Sequence, residues 1–147
     1  TLHQAHTGPI YIRVDDKPVR VRCDIERADA ILCFDATLLE GRLLAAAHER
    51  TLIVVNSGRP ADAFARALPG HRVIPVDAIA ISRRAGLGRI VNSALLGAFA
   101  RAIGMPPLAA LERTLAERSP KLTAENLAAC GDGYRTVDAL LAEEVAA

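Results

Sequence analysis

The sequence is poor in aromatic side chains and carries no excess of charge. Only 3% of its 147 residues are aromatic, tryptophan is absent, and the formal net charge at pH 7 is +1. Nucleic-acid surfaces use basic stripes and aromatic side chains on which bases stack, so this composition argues against nucleic-acid binding. No apolar run approaches the roughly 20 residues of a membrane-spanning helix, and no secretory signal is recognisable. We expect neither a nucleic-acid nor a membrane partner.

Cysteine is also scarce, and no reactive cluster is visible. Cys23, Cys33 and Cys130 are far apart and form no CxxC pair, the spacing typical of metal and redox sites. Free cysteines behave as small apolar residues, which indicates thiols in a reducing cytoplasm. The four histidines show no ligand spacing, and no nucleophile-elbow or Ser-His-Asp pattern is present. The chain is therefore expected to hold no metal and to catalyse no covalent reaction alone.

Apolar strands alternate with helical segments along the chain. The run 30–34 has the unbroken apolar character of a strand covered on both faces in a parallel sheet, and further strands are predicted at 52–55 and 71–76. A helical pattern follows each run, and from Gly88 onward the pattern is helical only. We predict a single α/β domain, with a mainly parallel sheet, flanking helices and a helical C-terminal stretch.

Further elements are predicted towards the two ends of the chain. Residues 10–14 and 19–23 alternate apolar with polar side chains around a turn at Asp16-Lys17-Pro18, which favours an N-terminal hairpin. Near the other end, 121–131 and 134–145 each have a helical pattern, which predicts two helices there.

The segment 89–104 is apolar around nearly its whole circumference and ends at Gly104, a residue suited to a left-handed helix cap. Such a helix is buried on both sides. The second side is covered either by the rest of this chain, as in a central core helix, or by a partner protein.

Polar side chains follow the predicted strands where each ends, at Asp35, Asn56 and Asp77. In open α/β sheets the ligand crevice lies outside these carboxyl ends, where carboxylates and amides accept hydrogen bonds from ribose hydroxyls. The turn Asn56-Ser57-Gly58 offers N–H groups suited to a phosphate or carboxylate. The local alternative is that Asp35 and Asp77 cap the helices that follow, for about 1 kcal/mol each, and that the turn is an ordinary one. The two roles do not exclude each other.

Five stretches, taken in order, resemble the gamma subunit (or gamma domain) of the 2-oxoacid:ferredoxin oxidoreductases. They are TGPIYIRVDDKPVR, ADAILCFDAT, TLIVVNSG, RIVNSALLGAFARAIG and PKLTAENLAACGDGY. Their order and spacing match those of the family from Thr7 to Tyr134. The resemblance depends on this ordered set and not on any single motif.

The resemblance implies a role inside a larger enzyme. In that family a 2-oxoacid is oxidatively decarboxylated on thiamine diphosphate, coenzyme A takes the acyl group, and electrons leave through iron–sulfur clusters to ferredoxin or another acceptor. It implies that the thiamine diphosphate and the clusters lie in companion alpha and beta subunits, with a delta subunit as a further candidate. This chain would bind none of these cofactors alone, and would contribute to assembly and to the coenzyme A side of the site.

Carried over by position, the resemblance assigns the lining of the crevice to Thr7, Gly8, Asp35, Asn56, Ser57 and Asn92. None of these residues is expected to be catalytic. The family's N-terminal Gly-x-Gly-Gly-Gln-Gly segment is not recognisable ahead of Thr7, so we expect residues 1–147 to form one gamma-type domain without it.

Two other functions remain open from the sequence. A free-standing Rossmann-like nucleotide-binding module, with Asp35 on a ribose, would bind a dinucleotide or a flavin by itself. A pure interaction subunit would have lost ligand binding, so alanine at Asn56 or Asn92 would leave the turnover of its complex unchanged. Under the leading hypothesis turnover falls and assembly is retained.

Overall fold

The computed structural model describes residues 10–21 and 23–146. Its sheet has three parallel strands in the order β1-β2-β3, so that β2 is central. The strands are β1 (Ala30–Cys33), β2 (Leu52–Asn56) and β3 (Arg72–Val76). The predicted mainly parallel sheet is confirmed, and each strand begins and ends within one residue of its predicted bounds.

Helices flank the sheet and form the whole C-terminal half of the chain. A 3-10 turn over Ala36–Leu38 follows β1. The α-helices of the described residues are α1 (Gly41–Ala45), α2 (Ala61–Ala67), α3 (Ala78–Arg84), α4 (Asn92–Ile103), α5 (Leu108–Arg118) and α6 (Thr123–Ala146). Within the described ranges, no helix combines the length and the apolar content that crossing a membrane requires.

The sheet lies between two layers of helices, because successive side chains of a strand point to opposite faces. Ile53 of β2 belongs to the apolar cluster that contains Phe64 of α2. Its neighbour Val54 belongs to the cluster on the other face, with Leu95 of α4 and Val137 of α6. Burial on both faces explains why β1 is an unbroken apolar run in the sequence and β2 is apolar up to Asn56.

Helices α4 and α6 approach until their backbones touch. A Cβ atom at Gly97 would lie 1.9 Å from the carbonyl oxygen of Cys130, and one at Gly133 would lie 2.0 Å from that of Ala94. No side chain larger than the hydrogen of glycine fits at either position. The two glycines therefore set how closely the helices pack.

The two C-terminal helices predicted from the sequence are a single helix, so that prediction was wrong. Helix α6 runs for 24 residues, through Gly131 and Gly133. Glycine weakens a helix interior by about 1 kcal/mol relative to alanine. The helix continues because its contact with α4 outweighs this local preference.

The predicted N-terminal hairpin is not formed as a strand pair in the described residues. Residues 10–21 contain no strand, although Arg13 donates a hydrogen bond of 3.0 Å to the carbonyl oxygen of Cys23 and brings the two arms side by side. Ile12 and Val14 are 75% and 79% exposed. A two-stranded hairpin needs a third strand or a helix against its apolar face, and the described chain supplies neither here.

Helix α4 is central to the domain, although one strip of it remains open. Leu95 and Ala98 are fully buried, whereas Leu96 and Ile103 are 39% and 40% exposed. The helix ends at Gly104 with φ of 78°, which confirms the predicted left-handed cap. The core-helix interpretation thus describes most of α4, and the strip of Leu96 and Ile103 is what a partner could still cover.

Replacing Gly133 by alanine should destabilise the domain. The added methyl group meets the carbonyl of Ala94, and overpacking of this kind costs about 1–3 kcal/mol, more than the gain in helix propensity. The matched control is Gly131→Ala in the same helix, where the added Cβ meets only the side chain of Arg135, at 3.1 Å. Urea unfolding should show a clear loss of stability for G133A and little change for G131A. Equal effects of the two substitutions would contradict the backbone contact.

Candidate functional site

The carboxyl ends of the three parallel strands meet at one edge of the sheet, which we call the strand-end edge. It consists of Asp35 after β1, the turn Asn56-Ser57-Gly58 at the end of β2, and Asp77 after β3. The structure thus brings together three of the sequence-predicted site residues, Asp35, Asn56 and Ser57. This is the edge at which open α/β sheets bind their ligands.

Asn56 connects the central strand to both of its neighbours. Its side-chain Nδ2 donates to the carbonyl oxygen of Phe34 at 3.2 Å, just beyond β1. Its Oδ1 accepts a hydrogen bond of 3.2 Å from the backbone N–H of Ala78, the first residue of α3. The next backbone N–H, that of Ser57, donates to the carbonyl oxygen of Val76 at 3.0 Å. The amide of Asn56 therefore uses both its donor and its acceptor within the fold.

Asp35 caps the 3-10 turn that follows it, which confirms the capping role predicted from the sequence. Its Oδ1 accepts hydrogen bonds from the backbone N–H of Thr37 at 2.9 Å and from Oγ1 of Thr37 at 2.8 Å. The backbone N–H first, and then the hydroxyl, hold the pKa of Asp35 below its usual range. The thiol of Cys33, the last residue of β1, donates to the carbonyl oxygen of Asp35 at 2.9 Å. Burial raises the pKa of that thiol. The exposed carboxylate is thus held ionised and in a fixed orientation.

Asp77 and the turn after β2 lie against each other. Asp77 caps α3, since its Oδ1 accepts from the N–H of Ala80 at 2.9 Å. Within the turn, Ser57 Oγ accepts from the N–H of Arg59 at 3.1 Å. A Cβ at Gly58 would lie only 3.0 Å from Oδ2 of Asp77. The small size of Gly58 therefore lets the turn sit directly beside the start of α3.

Helices α4 and α6 run side by side in the same direction. Near their starts, Ser93 Oγ donates to Oδ1 of Asn126 at 2.6 Å. Further along, Arg101 of α4 pairs with Asp138 of α6, also at 2.6 Å. Sequence reasoning missed the Ser93–Asn126 pair, although one buried serine in an otherwise apolar helix was a signal that a polar partner lies opposite.

Asn92 is the remaining sequence-predicted site residue among the described ones. It is the first residue of α4 and is exposed. At the other end of the neighbouring helix, Glu144 of α6 pairs with Arg72 at the start of β3.

The strand-end edge is exposed at Asp35, Gly58 and Asp77. Two grooves of about 400 and 260 Å³ lie elsewhere, lined by residues between Tyr11 and Glu26 and by the end of α1. The remaining predicted site residues, Thr7 and Gly8, lie outside the described residues. A ligand at the strand-end edge would contact backbone and side-chain groups at the surface.

The described residues do not fit an iron–sulfur cluster or another metal centre. No group of three histidine, cysteine or acidic side chains in residues 10–21 and 23–146 is placed to hold a metal ion. Cys33 and Cys130 lie in separate core clusters. Burial, with a smaller effect of Glu112, raises the pKa of Cys130 to about 11, whereas metal ligation needs the thiolate.

These features define an α/β domain that presents a polar sheet edge and an apolar helix strip, with its own polar side chains engaged mainly in local hydrogen bonds. The chain belongs to the pyruvate ferredoxin/flavodoxin oxidoreductase family, whose model matches residues 5–136. This extent agrees closely with the resemblance seen in the sequence from Thr7 to Tyr134, which is thereby confirmed.

Individual relatives agree with this family. The chain is 30% identical to pyruvate synthase subunit PorC of Thermotoga maritima, over 70% of this chain and 54% of that protein. It is 25% identical to the pyruvate/ketoisovalerate oxidoreductases common subunit gamma of Pyrococcus furiosus, over 87% and 71% of the two chains. The crystal structure of pyruvate oxidoreductase subunit PORC from Thermotoga maritima matches with a TM-score of 0.67 at 27% identity, over 76% of this chain and 64% of that one. The chain thus spans about half to seven-tenths of the length of these relatives.

The carboxyl group of Asp35 should titrate below 3.8, the ordinary value for aspartate. Because its folded-state pKa is lowered, the carboxylate contributes stability that is present above the unfolded-state pKa and lost as the pH falls through the folded-state value. Carbon-detected NMR titration measures this pKa. In Thr37→Val the lowering should shrink but persist, because the backbone N–H, the larger cause, remains. A normal pKa in the unmodified protein would show that the cap is not formed.

Proposed function

We propose that this chain acts as the gamma subunit, or gamma domain, of a thiamine-diphosphate-dependent 2-oxoacid:acceptor oxidoreductase. The complete enzyme would convert a 2-oxoacid, coenzyme A and an oxidised acceptor into acyl-CoA, carbon dioxide and the reduced acceptor. The observation that carries this proposal is the family match over residues 5–136. The names of the relatives, which are subunits of pyruvate synthase and of pyruvate/ketoisovalerate oxidoreductases, support the same substrate class.

In this proposal the chain supplies no reacting group. Companion alpha and beta subunits, with delta as a further candidate, would hold the thiamine diphosphate and the iron–sulfur clusters and would pass electrons to ferredoxin or another acceptor. The separation of the described thiols supports this division of labour, since Cys33 and Cys130 are buried in different parts of the core. Their free state suits a reducing cytoplasm, where we place the complex.

The strand-end edge is the part of the chain that we assign to coenzyme A. The turn Ser57-Gly58 leads directly into Arg59, whose guanidinium lies 5.6 Å from the centre of the Phe64 ring. A positive charge held beside the turn favours a phosphate group. Asp35 and Asn92 would line the same edge. Thr7 and Gly8 are further candidate lining residues, which only the family resemblance supports.

The strip of Leu96 and Ile103 on α4 is the part that we assign to assembly. Both side chains remain about two-fifths exposed on the helix that is otherwise the most enclosed in the domain. Apolar surface of this kind is stabilised when a companion subunit removes it from water.

The free-standing nucleotide-binding module has less support. The family match gives the chain relatives that are named as subunits. In addition, Asp35, the residue that this alternative places on a ribose, already uses one of its two carboxylate oxygens to bind Thr37.

Purification of the native complex tests the proposal. The chain should elute together with thiamine- and cluster-bearing proteins, and the fraction should reduce ferredoxin only when both a 2-oxoacid and coenzyme A are present. Pyruvate and 2-ketoisovalerate are the substrates to try first. A chain that elutes alone, or activity that does not depend on coenzyme A, would refute the proposal. Saturable binding of a dinucleotide by the solitary chain would favour the nucleotide-binding module instead.

Substitution of Leu96 tests the assembly role. Leu96→Asp places a charge in the exposed apolar strip, so its companion subunits should no longer co-purify with the chain, because an unpaired charge would be buried in the interface. The control is Val145→Asp, which adds the same charge at a side chain that is 90% exposed near the end of α6. Thermal unfolding should show both variants folded. Normal co-purification of L96D would show that this strip is not an interface.

A further inference from the structure

We propose that Asn56 is a positioning residue, which holds the strand-end edge in shape without touching the ligand itself. This inference rests on the proposed function, because it concerns how the edge presents its anion-binding turn to coenzyme A. Sequence reasoning grouped Asn56 with the residues that line the crevice. The structure assigns its amide a different task.

Both polar atoms of the Asn56 amide already have a partner within the fold. Nδ2 donates to the carbonyl oxygen of Phe34 and Oδ1 accepts from the N–H of Ala78, each at 3.2 Å. These partners belong to the segments that follow β1 and β3. One side chain at the end of the central strand thus ties together the exits of all three strands.

The hydrogen bond from Ala78 matters because it satisfies a backbone N–H group at the start of a helix. Ala78 is fully buried and is the first residue of α3, where backbone N–H groups lack partners within the helix. Asp77 satisfies the N–H of Ala80 in the same turn, and Asn56 satisfies that of Ala78. The two side chains together fix where α3 begins.

The start of α3 in turn fixes the turn that follows β2. Gly58 lies so close to Asp77 that a Cβ there would come within 3.0 Å of Oδ2, and Ser57 is bonded to the carbonyl of Val76. If α3 shifts, the turn Ser57-Gly58 and the Arg59 that follows it shift as well. Asn56 would therefore control the anion-binding geometry from one residue away.

The test compares Asn56→Ala with Asn56→Asp in the purified oxidoreductase complex by amide hydrogen exchange. Alanine removes both bonds, so the N–H of Ala78 should exchange about twofold to tenfold faster, as expected for one lost hydrogen bond. Aspartate keeps an oxygen that accepts from Ala78 but cannot donate to Phe34 when it is ionised. Protection of Ala78 should therefore persist in N56D. Unchanged exchange in N56A would overturn the inference.

The kinetic test uses the same N56A complex with coenzyme A as the varied substrate. The KM for coenzyme A should rise by about twofold to tenfold while kcat stays constant, because only binding geometry is affected. A rise in KM without faster exchange at Ala78 would make Asn56 a direct ligand contact and overturn the positioning role. Faster exchange with an unchanged KM would overturn it as well, since coenzyme A binding would then not depend on the hydrogen bonds of Asn56.

Two further measurements separate this inference from the proposed function. If the unmodified complex turns over without coenzyme A, the proposed function fails and the inference fails with it. If the unmodified complex requires coenzyme A but N56A leaves the KM unaltered, the inference alone fails. Should N56A not assemble, Gly58→Ala displaces the turn from Asp77 with Asn56 intact and should raise the same KM; an unchanged KM there would overturn the inference.

Discussion

The direct backbone contact between α4 and α6 is the constraint on which the rest of the domain depends. Helices that pack through ordinary side chains keep their axes about 8–10 Å apart. At Gly97 and Gly133, the carbonyl groups of the opposite helix come so close that no Cβ atom would fit. Buried small residues such as Ala98 and Ala129 continue the same surface. Because of this close approach the two helices pack as one layer, and that layer covers one face of the sheet.

Side-chain pairs set the direction of the two helices. The pairs Ser93–Asn126 and Arg101–Asp138 keep the helices parallel, and the pair of Arg72 with Glu144 holds the far end of α6 at the start of β3. Exposed pairs of this kind contribute little energy each. Their effect is on direction, because they favour one alignment of α6 with α4 and with β3.

The sequence predicted the features that depend on neighbouring residues and missed those that depend on distant ones. Apolar runs predicted the bounds of the strands to within one residue. The caps at Asp35 and Gly104 follow from local chemistry. The continuity of α6 could not be predicted, because a glycine is locally typical of a helix end. The reason for Gly133 is the carbonyl of Ala94 in α4, 39 positions earlier. The hairpin predicted around Asp16-Lys17-Pro18 was not found as a strand pair, because alternation of apolar and polar residues predicts a strand only where other residues cover its apolar side.

The candidate site follows the same division between local and distant causes. The positions of polar residues at the strand ends were predictable, since each follows an apolar run, and so was the capping for which Asp35 and Asp77 use an oxygen each. The task of Asn56 was not predictable, because its amide joins the exits of three strands that are distant in the sequence. What these side chains hold in place at the edge is therefore the turn after β2 and the starts of the helices. A domain built in this way can contribute shape and fixed dipoles to a larger site, which is the role that we propose for it.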